Sequence, residues 1–344
     1  NNFNGAVNTP GDYIYSFTKN CDNSNLVINI TVSVTVQQAP FVGSNNTLSI
    51  CRNASPVDLF TLLGTGITTG GNWLPALASG TGVYNPAVDV SGTYTYTIPA
   101  STTCPSVSSS IVVTNNPLPA VSNQTITTCS DVALNYDLDA LISGTGDTFI
   151  YTVASSDATN VPPSSPRTTA SATNITDVYT NTTTAPVIIT YTVTPIGSNG
   201  CTGNTFTVAV TVNPEPVVTN QTITTCSDVA LNYDLASLIT GTGDLYTYTV
   251  ASSNAASVPA GSPRAVASAA NITDVYTNTT AAAVTITYTV TPIGSNGCTG
   301  NTFTVTVTVN PEPVVANQTI TTCSDVALNY SLDGLITGAG DTYA

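Results

Sequence analysis

The stretch Asn-Gln-Thr-Ile-Thr-Thr-Cys-Ser-Asp-Val-Ala-Leu-Asn-Tyr, residues 123–136, occurs three times in this chain of 344 residues. The second copy begins at Asn220 and the third at Asn317, so consecutive copies lie 97 residues apart (220 − 123 and 317 − 220). A second stretch, residues 194–208, returns at Thr291 with the same spacing. A fixed period of this length predicts an array of domains in which each copy is one structural unit.

The composition excludes several classes of partner. The formal net charge is −15, and the cations are Lys19, Arg52, Arg167 and Arg264. Nucleic acids and anionic membrane surfaces need clustered Lys and Arg, so we expect neither as a partner. The sequence contains no run of about 18 apolar residues, which argues against membrane insertion. Without Met or a signal peptide, we expect a mature product or a window from a longer chain.

Short alternating segments predict an all-β fold. Residues 26–36 alternate polar with β-branched or other apolar side chains, which is typical of a half-buried strand. In the first long unit this pattern predicts strands near 121–128, 132–138, 147–154, 174–180, 186–194 and 204–212, and a loop or weak edge over 155–172. Residues 57–63 and 137–142 are each expected to form one helical turn. Turn signals every 8–12 residues favour tandem β-sandwich domains.

Proline-rich segments divide the chain into units. Asn-Pro-Leu-Pro begins at Asn116, and Asn-Pro-Glu-Pro begins at Asn213 and again at Asn310. Proline stiffens the backbone around it, so these joints are expected to be short and semi-rigid. The predicted units are residues 1–36 (the back part of a short unit), 37–115 (a short unit), 116–212 and 213–309 (long units), and 310–344 (the front part of another long unit).

The eight cysteines predict disulfides and an extracellular location, since they are widely spaced and no zinc-type Cys-x-x-Cys occurs. Each complete unit has one early and one late Cys. The favoured pairing lies within units and joins Cys51 to Cys104, Cys129 to Cys201 and Cys226 to Cys298. It leaves Cys21 and Cys323 unpaired, as expected for partial units.

A second pairing stays open on geometric grounds. If the early Cys follows the first strand and the late Cys lies in the last turn, a plain sandwich places them at opposite ends. Disulfide Cα atoms lie within about 7 Å, so such a pair could not close. The early Cys of one unit would then bond to the late Cys of the next, giving Cys51–Cys201 and Cys129–Cys298.

Catalytic chemistry is poorly represented, so we predict that the chain is not an enzyme. The sequence contains no His, which excludes Ser-His-Asp and Cys-His arrangements. Asp137 and Asp139 could form an acid–base pair, but Ala236 replaces the second member in the next copy. The expected role of such carboxylates is to cap turns. Arg167 and Arg264 each occur in a Ser-Pro-Arg setting and are expected to pair with a local carboxylate.

No cofactor is expected, and calcium is the one metal that the sequence leaves open. Calcium requires several convergent oxygens, and some acidic residues recur with the 97-residue period. No dense acidic loop is present, which favours a turn-capping role for these side chains. The candidate calcium ligands are Asp131, Asp147, Asp228 and Asp244.

The units resemble repeats of large Bacteroidetes surface proteins. The short unit is similar to their immunoglobulin-like repeats at residues 50–63, at Gly71-Asn-Trp73, at Tyr94-Thr-Tyr96 and at Cys104. The long unit resembles their PKD-like repeats, especially at residues 194–208 and 213–216. This resemblance covers essentially the whole chain. It implies a tandem array of immunoglobulin-like and PKD-like β-sandwiches in a cell-surface adhesin or filament, exported by type IX secretion.

The function predicted from these observations is a disulfide-stabilised stalk in a long extracellular adhesin or filament. Its partners would be neighbouring repeats and other copies in a fibre, including an arrangement in which one chain completes another's sandwich. One alternative is a multivalent carbohydrate- or surface-binding module, which exposed rings of Tyr246, Tyr248 and Tyr276 would favour. Another is a spacer in a secreted hydrolase, which a catalytic domain in the complete sequence would support.

Overall fold

A computed structural model describes residues 10–21, 24–142, 146–238, 244–313, 315–332 and 335, and its regular structure is nearly all β. A short α-helix spans Phe60–Leu63, and two 3₁₀ turns span Asp139–Leu141 and Ala236–Leu238. In chain order the strands are β1 (Gly11–Cys21), β2 (Ser24–Val34), β3 (Asn46–Cys51), β4 (Val57–Asp58), β5 (Asn72–Leu74), β6 (Val83–Tyr84), β7 (Gly92–Ile98), β8 (Val107–Asn116), β9 (Gln124–Cys129), β10 (Thr148–Ser155), β11 (Arg167–Ser171), β12 (Val187–Ile196), β13 (Phe206–Asn213), β14 (Gln221–Cys226), β15 (Leu245–Ser252), β16 (Arg264–Ser268), β17 (Val284–Ile293) and β18 (Phe303–Asn310).

The short unit is built on a four-stranded sheet with the order β3-β8-β7-β5, accompanied by the small pair β4-β6. Alternating residues of β7 and β8 point into its core, as the period-2 pattern predicts. Fully buried rings of Tyr84 and Tyr96 supply much of the apolar surface there. The helical turn predicted within 57–63 is present at Phe60–Leu63.

Each long unit contains one five-stranded sheet. The strand order is β11-β10-β12-β13-β9 in the first and β14-β18-β17-β15-β16 in the second, so the two copies have the same topology. Strand β13 alternates strictly between buried and half-buried residues, with Val208, Val210 and Val212 facing the core. Branched side chains pack well on a pleated surface, which explains why Thr-Val alternation forms strands here.

The first and last strands of every complete unit lie side by side and run parallel. Cys51 lies opposite Asn116, Cys129 opposite Asn213, and Cys226 opposite Asn310. Parallel strands end at the same edge of a sheet. Each early cysteine therefore lies at the edge where the chain leaves its unit and enters the next proline joint.

Two predicted strands of the first long unit are not strands. Residues 132–138 and 174–180 are extended segments held together by backbone hydrogen bonds around the single bridge between Tyr136 and Ile175. Asp131 (φ 59°) and Asn135 (φ 47°) adopt left-handed backbone conformations. These two positions interrupt the extended conformation that a continuous strand requires.

The segment 155–172, predicted as a loop or weak edge, contains the edge strand β11. Arg167 organises it, although not through a carboxylate as expected. The guanidinium lies 4.7 Å from the centre of the Tyr151 ring and donates hydrogen bonds to the carbonyl oxygens of Thr173 (2.8 Å) and Asn174 (3.1 Å). Arg264 makes the equivalent contacts in the second copy.

Before the short unit, β1 and β2 form an antiparallel hairpin that pairs Gly11 with Val34. This agrees with the alternating pattern of residues 13–17 and 26–36. The described residues after Asn310 contain no strand. The proposed boundaries of the five units stay predictions.

We predict that Phe303→Ala destabilises the second long unit by about 3–5 kcal/mol, because removing a buried ring leaves a cavity. Phe303 is 2% exposed and packs against the core formed by β15, β17 and β18. Urea unfolding with hydrogen exchange of the β17 and β18 amides measures the effect on this unit.

Val266→Ala is the matched control, since this side chain lies in the same sheet but is 82% exposed. Its effect should stay within about 0.5 kcal/mol. Equal losses of stability in the two variants would contradict the assigned core.

Candidate functional site

The joints between units are where recurring polar chemistry and cysteines meet. A joint here means the Asn-Pro-x-Pro segment at 116–119, 213–216 or 310–313. The late loop means residues 197–203 of the first long unit and the equivalent residues 294–300 of the second. Each late loop lies between the last two strands of its sheet, β12 and β13 or β17 and β18.

Hydrogen bonds fix the shape of the late loop. Gly294 donates its backbone N–H to the carbonyl of Cys298 (2.8 Å), and Cys298 donates its own N–H to Oδ1 of Asn296 (3.0 Å). The first copy repeats this pattern. These bonds hold the cysteine in one orientation, and its side chain is fully buried in both loops.

The late loop also clamps the joint at the start of its own unit. The Asn296 side chain donates a hydrogen bond to the carbonyl of Pro214 (2.9 Å). A Cβ atom at Gly300 would lie 2.1 Å from the carbonyl oxygen of Pro216, so only glycine allows this approach. The loop is thereby held next to the edge where the preceding unit ends.

Two disulfides follow from this arrangement. Cys129 is bonded to Cys298, and Cys51 is bonded to Cys201, each with a Cα–Cα distance of 5.6 Å. Both join the early cysteine of one unit to the late cysteine of the next. The within-unit pairing expected from the sequence is therefore wrong for these four residues, and the between-unit alternative describes them.

The second long unit shows why pairing within a unit fails. Cys226 lies opposite Asn310 at the end of β18, whereas Cys298 lies in the turn before β18 begins at Phe303. Eight residues of strand separate the two edges by roughly 26 Å at 3.3 Å per residue. A disulfide spans at most about 7 Å between Cα atoms, so this pair cannot close.

Three cysteines among the described residues carry free thiols. They are Cys104, which is half-buried, and Cys226 and Cys323, which are exposed. The disulfides predicted for Cys104 and Cys226 are thus not formed. The side chain of Cys21 lies outside the described residues.

The four candidate calcium ligands separate into two kinds of position. Asp131 and Asp228 are exposed and accept hydrogen bonds from Thr180 and Thr277. Asp147 and Asp244 are buried, and each accepts one backbone N–H from the late loop of its own unit. Within the described ranges, no three His, Cys, Asp or Glu side chains come together as a group able to hold a metal ion.

A pair of carboxylates, one of them in the joint, recurs in both long units. Partial burial, and secondarily the charge of Asp131, raise the pKa of Glu215. In the next copy, Glu312 and Asp228 share a hydrogen bond that raises the pKa of Glu312 and lowers that of Asp228. The signal was present in the sequence, since Glu215 and Glu312 are 97 residues apart.

A second recurring polar cluster belongs to the core. The hydroxyl of Tyr191 lies 2.6 Å from that of Tyr179 and donates a hydrogen bond to Asp177. Burial is the largest cause of the raised pKa of Tyr191. Tyr191 is fully buried, so no substrate reaches it. The equivalent residues Tyr288 and Tyr276, with Asp274, repeat the cluster. It anchors the last segment before β12 or β17 to the sheet.

A comparison with protein families matches the PKD-like domain family twice, at residues 126–216 and 223–313. Together these matches cover more than half of the chain. Each runs from the strand that carries the early cysteine to the end of the following joint. A search of curated protein sequences gives no match.

Several solved structures are similar to this chain. They include extracellular cadherin domains 1–4 of protocadherin gamma B7 (11% identity, 87% of this chain and 83% of that chain, TM-score 0.28), mouse protocadherin-24 EC1-3 (12%, 82% and 100%, TM-score 0.29) and Drosophila N-cadherin EC1-3 (10%, 78% and 98%, TM-score 0.19). At such low identities and TM-scores these likenesses carry no argument about function. In the part of the chain that the structure describes, no helix is long and apolar enough to cross a membrane.

We predict that Cys129→Ser, Cys298→Ser and the double variant lower the stability of the two long units by the same amount. Either substitution removes the same bond, so the second adds nothing. The bond closes a segment of 169 residues. Chain entropy alone would assign it roughly 5 kcal/mol, the upper end of the usual range for a disulfide. Thermal unfolding of the three variants measures the difference.

A non-reducing peptide map provides the independent control for this pairing. It should contain the Cys129–Cys298 and Cys51–Cys201 peptides. A Cys226–Cys298 peptide, or additive losses of stability in the two single variants, would contradict the assignment.

We also predict that Glu215→Gln changes how stability depends on pH. The pKa of Glu215 is raised in the folded chain. Its stabilising contribution is therefore fully present below its unfolded pKa of about 4.3, and it is lost as pH rises through the folded value. Without this group, the variant should become progressively more stable relative to the parent between about pH 4 and pH 7.

Melting temperatures of both proteins across this range measure that trend. Asp131→Asn should reduce it in part, because it removes the second cause of the raised pKa. A difference between parent and Glu215→Gln that does not change with pH would refute the assignment.

Proposed function

This chain belongs to the PKD-like domain family, and we propose that it forms a load-bearing repeat region of an extracellular adhesin or filament. The observation that carries the proposal is the pairing of each early cysteine with the late cysteine of the following unit. A bond of this kind resists separation of neighbouring units, whereas a bond inside a unit would protect only that unit.

The two disulfides overlap along the chain, and this changes how the chain would carry tension. Between Cys51 and Cys298 the backbone contains 247 residues (298 − 51). A shorter covalent path crosses from Cys51 to Cys201 through one disulfide, follows the backbone back to Cys129, and crosses to Cys298 through the other disulfide. This path contains only the 72 residues between Cys129 and Cys201 (201 − 129). Unfolding of the linked units would therefore release much less length than the backbone contains.

The two disulfides also favour an extracellular location, which the proposal requires. Structural disulfides persist in oxidising compartments and are rare in the cytosol. The strongly acidic balance, with four cations against 19 acidic residues, would keep such a chain soluble and separate from anionic surfaces. The resemblance to Bacteroidetes surface repeats extends the proposal to a giant cell-surface protein exported by type IX secretion.

The carbohydrate-binding alternative required exposed aromatic rings. Tyr246, Tyr248 and Tyr276 are at most 8% exposed and lie within the core of the second long unit. They are therefore not placed to stack on a sugar, and their burial favours the mechanical role.

Single-molecule stretching of the chain from its two ends tests the proposal. The contour length gained on full unfolding should be about 60 nm shorter under oxidising conditions than after reduction. This difference corresponds to the 175 residues that the two bonds exclude (247 − 72), at roughly 3.5 Å each.

Cys298→Ser is the matched control, since it removes one bond and leaves the Cys51–Cys201 bond in place. The shortest path then contains 97 residues (298 − 201) rather than 72, so the oxidised chain should lengthen by only about 9 nm. Equal lengths before and after reduction would refute a load-bearing role for the bonds.

A further inference from the structure

We propose that Cys226 is the attachment point for the late loop of the unit that begins at Asn310, and that it bonds to the cysteine of that loop. The partner is thus another repeat of the same kind, recognised by a buried cysteine in a Gly-Cys-Thr-Gly loop. The inference rests on the proposed extracellular location, because in a reducing compartment both thiols would stay reduced and no disulfide would form.

Cys226 occupies the same position in its unit as Cys129. Each is the last residue of the first strand of its sheet and lies opposite the asparagine that ends the last strand. Ser227, the next residue, donates its N–H to the carbonyl of Asn310, and its hydroxyl accepts the N–H of Asn278. Ser130 makes the same two contacts with Asn213 and Asn181. The backbone around the two cysteines is therefore held identically.

The joint next to Cys226 has the sequence that a late loop contacts at the earlier joint. Residues 310–313 repeat the Asn-Pro-Glu-Pro of residues 213–216. At the earlier joint, a late loop binds Pro214 through Asn296 and contacts Pro216 through Gly300, which brings Cys298 to Cys129. The same loop on residues 310–313 would bring its cysteine to Cys226.

Cys104 shows where a late cysteine lies when it has a free thiol. Cys104 is a late cysteine, and it borders a cleft of about 400 Å³ lined also by residues 37–41, which lead into its own unit. The neighbouring Thr103 hydroxyl donates to the Gln37 side chain (2.6 Å). Late cysteines thus lie beside the entry to their unit even where no partner is bonded, so the position does not depend on the disulfide.

The chemistry of bond formation is ordinary thiol oxidation. The thiols of Cys226 and the incoming cysteine lose two protons and two electrons, and a sulfur–sulfur bond forms between them. A low-molecular-weight disulfide such as oxidised glutathione accepts both and is reduced to two thiols. Cys226 is exposed, so the reagent can reach it.

The test extends the full chain rather than truncating it. Residue 344 corresponds to residue 247 of the preceding repeat (344 − 97), so appending a copy of residues 248–309 completes the third long unit. The extended chain is oxidised with glutathione disulfide, alkylated and mapped by mass spectrometry. We expect Cys226 in a disulfide with the copied Cys298 and protected from alkylation, while Cys323 stays at least 90% alkylated.

The matched control carries Ser in place of the copied Cys298, and there Cys226 should be fully alkylated. A disulfide between Cys323 and the copied cysteine, or a freely alkylated Cys226 in a folded extension, would overturn the proposal. Loss of the Cys129–Cys298 bond under the same conditions would instead count against the proposed function.

If the appended unit does not fold, a second variant tests the same geometry in the original chain. Cys129→Ser in the original chain frees Cys298 without adding any residue. The geometry requires that Cys226 and Cys298 of one unit stay apart, so both should be alkylated once the chain is unfolded in urea, which exposes the buried Cys298. A Cys226–Cys298 bond in this variant would show that early cysteines can turn inward, and the proposal would fail.

Discussion

The parallel pairing of the first and last strands is the constraint on which the rest of this structure depends. Cys129 lies opposite Asn213 and Cys226 lies opposite Asn310, so in both long units the early cysteine lies at the edge where its unit ends. Had the two strands been antiparallel, the first strand would end where the last one begins. The early cysteine would then lie beside the late loop of its own unit, and a bond within the unit would become possible. Strand direction thus decides whether the disulfides close single units or connect successive ones.

The joint has a composition that suits this role. Its prolines remove backbone donors and limit the accessible conformations, so few hydrogen bonds are lost when another loop packs against it. The carbonyls of Pro214 and Pro216 are the groups that the late loop contacts, through Asn296 and Gly300 respectively. Glu215 lies between these prolines, and its raised pKa reflects a carboxylate held near Asp131 in a partly buried position. The joint therefore has a rigid backbone and a carboxylate with a raised pKa, and it lies beside the Cys129–Cys298 disulfide.

The sequence alone predicted the repeat, the all-β class and most strands, because these depend on local patterns. The strands predicted near 147–154, 186–194 and 204–212 are present as β10, β12 and β13. The failures were positions where local pattern and tertiary context disagree. Residues 132–138 alternate like a strand, but Asp131 and Asn135 turn the chain out of the extended conformation. Arg167 was expected to find a carboxylate and instead binds carbonyls and the Tyr151 ring. Disulfide pairing depends on which sheet edge each cysteine reaches, and this is a property of topology that spacing does not encode.

The recurring polar clusters of this chain divide between the core of each long unit and the joints. The buried cluster of Tyr179, Tyr191 and Asp177 recurs in the second copy, as a core feature would. The interior of each long unit thus serves to stabilise the fold, since its aromatic rings are buried in the core. The early cysteine, the Asp that follows it by two residues and the proline joint also recur in the two long units. All three lie at the edge where one unit ends, so the repeated surface of a unit is directed towards the next unit. A chain organised in this way gains length by adding units while each added bond reinforces the preceding connection.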